Sequence, residues 1–83
     1  MKITVKYFSS VREALGKGAE TLETKAATCA ALRDELVARG GAYAQALARG
    51  RTVRIALDQT MSAEHTPLRE GAEVAFFPPV TGG

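Results

Sequence analysis

The chain has one cysteine, one histidine and no tryptophan among its 83 residues. A single Cys excludes an internal disulfide and fits a reducing compartment. One Cys and one His, without CxxC or HxxxH spacing, leave no ordinary metal site. The glycines form neither GxGxxG nor a Walker motif, so nothing here cradles a nucleotide. No apolar run approaches the roughly 20 residues of a membrane span. The opening MKITVKYF alternates instead of running apolar, so it is no signal peptide. These absences predict a cytoplasmic protein with no membrane partner. Charge of one sign is also lacking: 11 basic residues face 9 acidic ones, for a net +2. The densest basic group, Arg49, Arg51 and Arg54, reads as a solvated face and not as a nucleic-acid site.

What is present is an ordinary globular balance, 46% hydrophobic and 24% charged. That argues against disorder and for one small domain, too small to enclose a deep cleft of its own. Lys2 to Phe8 alternates. Ile3, Val5 and Tyr7 share one face, and Lys2, Thr4, Lys6 and Phe8 share the other, which predicts a strand. Ser9 and Ser10 lead into a short helical turn, Val11 to Leu15, stopped by Gly16 and Gly18. Ala19 to Thr24 reads as a second strand. Thr28 is a good N-cap for a helix whose apolar stripe is Cys29, Leu32 and Leu36. Arg39 suits the last turn of that helix, and Gly40 and Gly41 end it.

Ala42 to Arg49 predicts a shorter helix. Thr52 to Leu57 is a third strand, followed by a turn at Asp58-Gln59. Thr60 to Arg69 reads as irregular, with Pro67 a barrier to regular pairing. Glu73 to Phe77 is the last strand. The order strand, strand, helix, strand, strand predicts one mixed sheet with the main helix on one face. If the first and last strands are parallel neighbours, the crossover between them runs through that helix.

No catalytic constellation stands out. His65, in a loop near Pro67, reads as a surface or partly buried histidine. Cys29 opens a helix, where the dipole can lower a thiol pKa, but it reads as a small apolar member of the stripe. The carboxylates are scattered. The chain's last residues differ: Pro78-Pro79 cannot continue a ladder and favour a stiff extended path. Val80, Thr81, Gly82 and Gly83 follow, and Gly-Gly is the thinnest tip a peptide can offer. A stiff base with a thin tip can enter a narrow channel, where backbone N–H groups grip a carboxylate.

At this point EVAFFPPVTGG closely resembles the C-terminus of the molybdopterin synthase small subunits, a family of ubiquitin-like sulfur carriers. ITVKYF and SSVREALG resemble the family's first strand and first short helix. Ala31-Leu32-Arg33 and Ala56-Leu57-Asp58-Gln59 fit in order and spacing, so the resemblance covers essentially the whole chain. Asp58 departs from the family's frequent Asn, and either residue suits a turn. Gly-Gly is common to all such carriers; Phe-Phe-Pro-Pro-Val favours the molybdenum-cofactor branch. The resemblance implies an α+β, β-grasp fold, with a domain over 1–77 and an extended tail over 78–83.

It also implies a chemistry. An E1-like adenylating enzyme spends ATP to turn the Gly83 carboxylate into an acyl-adenylate. A sulfur donor such as a cysteine desulfurase or rhodanese-type protein converts that to a thiocarboxylate. The tail, Pro78 to Gly83, then enters the synthase large subunit. There the sulfur passes to a cyclic pyranopterin precursor to build the molybdopterin dithiolene. The chain itself then binds no cofactor and no metal; the active site belongs to the large subunit. The family suggests a heterotetramer, and the shuttle role a monomer when alone. Related carriers for thiamine, cysteine or tRNA thiolation share the tail chemistry, and a protein modifier would instead join Gly83 to lysines. Phe8 and Phe77 are expected to form an apolar partner interface beside the tail, provided the first and last strands are neighbours.

Overall fold

The alternation of the first residues becomes β1 (Lys2–Tyr7), with Ile3, Val5 and Tyr7 buried. The computed structural model describes residues 1–79. A short helix, α1 (Ser9–Leu15), follows and stops at Gly16. Gly16 has φ +73 and donates its N–H to Arg12 O at 2.9 Å, a left-handed helix end that glycine adopts without a Cβ clash. β2 (Ala19–Glu23) returns antiparallel to β1.

The main helix, α2 (Cys29–Val37), begins where Thr28 caps it: the Thr28 hydroxyl accepts from the Ala31 N–H at 3.1 Å. Cys29, Leu32 and Leu36 are fully buried. Each large side chain on that stripe contributes about 1.5–3 kcal/mol by leaving water. They pack with Ile3, Val5, Ile55, Val74 and Phe76 in a single core cluster. α3 (Gly41–Leu47) adds Leu47 to that core. Arg39 does not lie in the last turn of α2 as expected. The helix has ended at Val37, and Arg39 instead donates to Glu20 at 3.2 Å and to the Tyr43 hydroxyl at 3.2 Å. A carboxylate within reach wins over a diffuse dipole.

The sheet holds five strands where four were expected. β3 (Arg54–Leu57) turns through Asp58 and Gln59 into β4 (Thr60–Ser62), inside the stretch read as irregular. Both turn residues have positive φ, 49° and 69°. That is the geometry of a two-residue hairpin loop whose twist matches its strands. The Asp58 carboxylate accepts from the Glu73 N–H at 3.0 Å, and the Asp58 N–H donates to Glu73 O at 2.8 Å. This clamp holds a turn that lacks glycine. A three-residue strand is too short to show alternation, which is why the pattern missed it.

β5 (Glu73–Phe77) completes the sheet in the order β2-β1-β5-β3-β4. It runs parallel to β1 and antiparallel to β3, so the first and last strands are neighbours as anticipated. The segment around Pro67 forms no strand, but Pro67 itself pairs with Thr28 in a single antiparallel bridge whose hydrogen bonds come from its neighbours, and the backbone carbonyls of the segment serve α2. Thr66 O accepts from the Cys29 N–H and Glu64 O from the Ala30 N–H, while the Leu68 N–H donates to Ala27 O. Amides that have no partner within the helix are thereby satisfied. Among the described residues no helix is long and apolar enough to cross a membrane.

Candidate functional site

The tail begins where the sheet is best supported. β5 is paired on both sides, and Val74 and Phe76 are fully buried. Tyr7 stacks on Phe76 with ring centroids 6.3 Å apart, and Tyr43 meets Tyr7 edge-on at 6.5 Å. Pro78 and Pro79 leave this strand half-buried and outside any ladder. Pro78 forms one wall of a shallow groove of about 280 Å³, shared with Val11 and Ala14 of α1, Ala46 of α3, and Val53. The base of the tail thus shares the walls of this groove with both short helices. The expected site residues Val80, Thr81, Gly82 and Gly83 lie outside the described residues.

Opposite the helices the sheet presents a bare face, and the register places its residues in rows. Lys6, Ala75, Ala56 and Met61 stand side by side across four strands. The adjoining row on that face, beside the tail, pairs Phe77 with Arg54 and has Phe8 just past the end of β1. The Phe8 N–H donates to Phe76 O at 3.1 Å, which holds that residue in line. Phe8 is 45% exposed and Met61 59% exposed. Phe77 is half-buried, and Ala75, though outside the main core cluster, is buried among its neighbours. The structure therefore brings Phe8 and Phe77 together on one face at the tail, and it adds Met61, which sequence reasoning missed with its strand.

The family model described as the ThiS family matches residues 5–83. The chain belongs to the ThiS family. Two curated relatives of this ThiS-family chain are molybdopterin synthase sulfur carrier subunits. The one from Escherichia coli (strain K12) is 42% identical over 81 residues, and the one from Haemophilus influenzae is 40% identical over 81 residues. Each alignment covers 98% of this chain and 99% of the relative. Among solved structures, SAMP1 from Haloferax volcanii has a TM-score of 0.77 at 24% identity and covers 100% of both chains. A complex of subunits 1 and 2 of molybdopterin-converting factor from Helicobacter pylori 26695 gives 0.69 at 24%, again over 100% of both. At such identities the likeness speaks for the fold, and the fold is the expected ubiquitin-like β-grasp.

The remaining candidates fall where the sequence placed them. Cys29 is fully buried, and burial pushes its thiol pKa up, so helix position does not activate it. His65 is exposed. Arg49, Arg51 and Arg54 are all exposed, as a solvated face requires. Arg49 pairs with Asp34 and Glu64.

Two features of this ThiS-family chain escaped the sequence reading. Arg33 is only 4% exposed, although arginine is mostly found at the surface. Its guanidinium donates to Leu47 O at 2.7 Å, Ala48 O at 2.8 Å, Arg51 O at 3.0 Å and Glu64 at 3.3 Å. It binds together the end of α3 and the segment leading to β3. The second is Glu20, which accepts from Tyr7 and Tyr43 at 2.7 Å each and from Arg39 at 3.2 Å. Burial works to raise the Glu20 pKa, but the hydrogen bonds from Tyr43, Tyr7 and Arg39 outweigh it and hold the carboxyl below its ordinary value. Arg33 lies four residues after Cys29 and three before Leu36, so helical spacing puts it beside the buried stripe, and that was a signal that it faces inward. Nothing local in the sequence links Glu20 to Tyr43.

Proposed function

We propose that this chain is the sulfur carrier subunit of a molybdopterin synthase. The observation that carries the reading is the 40–42% identity, over nearly the full length of both chains, to two subunits of that name. The family match extends through residue 83 and so takes in the whole Gly-Gly tail. The Helicobacter complex supports a partner subunit for this fold.

In this reading the Gly83 carboxylate is the reactive group. A free carboxylate is a poor acyl donor, whereas an acyl-adenylate carries a good leaving group. The E1-like enzyme and its ATP supply that activation. A donor persulfide attacks the acyl carbon and AMP leaves, and a thiol then reduces the resulting acyl disulfide, freeing the donor and leaving a thiocarboxylate. Dividing the transfer into separate covalent steps lowers each barrier. The tail enters the large subunit, where the sulfur passes to the cyclic pyranopterin precursor. Pro78 and Pro79 set the direction of the tail from a rigid central strand, and Val80, Thr81 and Gly82 occupy the channel. Phe8 and Phe77 contact the large subunit beside the channel mouth. The single buried thiol supports a cytoplasmic setting for this chemistry.

The test is mass spectrometry of the chain incubated with the adenylating enzyme, ATP and a sulfur donor. Wild type is expected to exchange a C-terminal oxygen for sulfur and to support pterin sulfuration by the large subunit. A residue appended after Gly83 moves the carboxylate by about 3.5 Å. Misplacement by about 1 Å already costs on the order of 10²-fold in rate. The extended form and a form lacking Gly83 should therefore fold but fail. Gly82→Ala keeps the carboxylate and thickens the tip, and it should pass adenylation better than transfer. Full dithiolene formation by an uncleaved extended form would overturn the mechanism.

A further inference from the structure

The bare face of the sheet is not uniformly apolar. Its charged members include Lys6, Glu73 and, in the row beside the tail, Arg54. Lys6 and Glu73 satisfy one another at 3.3 Å. Arg54 is exposed, lies directly across from Phe77, and takes part in none of the ion pairs among the described residues. The face is therefore an apolar field of Phe8, Phe77, Ala56 and Met61 with one cation set in its tail-side row.

A partner that covers Phe77 also covers Arg54, because adjacent strands stand only about 4.8 Å apart. Removing a guanidinium from water without a counter-charge is costly. A surface that binds here must supply an acceptor, and a carboxylate matches the planar fork with two parallel hydrogen bonds. A second copy of this chain fits poorly, since face-to-face pairing would bring the same cation-bearing surface against itself. We propose that Arg54 is a specificity-determining contact for the large subunit, and that the large subunit presents an Asp or Glu to it at the rim of an apolar pocket for Phe77. This rests on the sulfur-carrier reading and names what that reading leaves open, the chemistry of the partner's docking surface.

The experiment is calorimetric titration of the full chain into the large subunit from the same organism. Wild type, Arg54→Lys, Arg54→Ala, Arg54→Glu and Phe77→Ala are compared at about 0.1 M and about 1 M salt, between which the screening length falls from about 10 Å to about 3 Å. Arg54 is exposed, so its variants should keep the wild-type urea midpoint. Arg54→Ala is expected to lose about tenfold in affinity at low salt, as interfacial arginines do. Arg54→Glu should lose about 100-fold or more through like-charge contact. Arg54→Lys keeps the charge but not the fork and should fall between wild type and Arg54→Ala. High salt should weaken wild type more than Arg54→Ala. Binding of Arg54→Glu within about twofold of wild type overturns the assignment; if Phe77→Ala is weakened in the same series, the sulfur-carrier reading survives without it. Failure of wild type to bind the large subunit overturns both. A homodimer of the chain alone that Arg54→Glu and Phe77→Ala dissociate makes the face a self-contact and also overturns the assignment.

Discussion

Replacing Arg33 by Met keeps much of the side chain's volume and removes its charge and all its donors. In the native chain the guanidinium serves three backbone carbonyls, at Leu47, Ala48 and Arg51, and the Glu64 carboxylate. Glu64 keeps Arg49 as a partner, so its loss is partial. The Leu47 contact lies in the interior, and an acceptor stranded there costs about 1–3 kcal/mol. The Ala48 carbonyl keeps the Arg51 N–H as a donor at 2.8 Å, and the Arg51 carbonyl is nearer solvent, where water recovers part of its loss. The sum is about 3 kcal/mol, in line with breaking other buried charge contacts. A domain of this size holds roughly 4–12 kcal/mol in all. At about 4–8 °C per kcal/mol for a small domain, the melting temperature should fall by about 12–24 °C. Urea unfolding followed by circular dichroism measures the change directly, with an unchanged slope confirming that the same surface unfolds. Arg33→Lys, which has a point charge in place of a fork, should recover only part of the loss. A loss below about 1 kcal/mol for Arg33→Met would refute the account, because it would mean the carbonyls are satisfied without the guanidinium.

Glu20 gives a pH signature. Its folded pKa lies below the ordinary 4.5, so its stabilisation is present above that value and is lost as pH falls through the lower folded value. Glu20→Gln should flatten the acid limb of the stability profile below about pH 4.5 while changing little in its shape near neutrality; an unchanged acid limb would contradict the assignment. Cys29 should resist alkylation in the native state and react at the rate set by opening of the domain, so its reaction should accelerate steeply with urea. Fast labelling in buffer alone would show that the thiol is not sealed in the core. Thr28→Ala removes the cap on Ala31 and should cost about 1 kcal/mol by chemical denaturation, with Thr28→Ser restoring most of it.

The legibility of the fold followed the length of each signal. β1 alternates over six residues and packs one face on the core, so both its extent and its buried set could be read. Thr28, Leu32 and Leu36 marked the main helix because a cap and a stripe coincide there. β4 escaped because three residues cannot establish a period and its turn lacks glycine. Arg39 reads from the sequence as a helix-end cation on a generic dipole argument, whereas the Glu20 carboxylate on β2 and the Tyr43 phenol four residues on, in α3, decide its place. Phe8 and Phe77 were legible as a pair because the alternation of two strands puts both on one face and the strands proved adjacent. Met61 and Arg54 joined that face only through the pairing of β3 with β5, a long-range register that local patterns do not encode.

The central position of β5 has a mechanical consequence. A partner that draws the chain from Pro79 onward into a channel pulls on a strand held by ladders to β1 on one side and β3 on the other. Tension along that strand loads the hydrogen bonds of both ladders together instead of opening them one after another from an edge. The Phe76 side chain, fully buried beneath them, adds a plug that must be dragged through the packed core before the strand can slip. A handle attached to β2 or β4 would peel away from a single neighbour. Attached where it is, the tail can be gripped, strained and released while the body behind it stays folded.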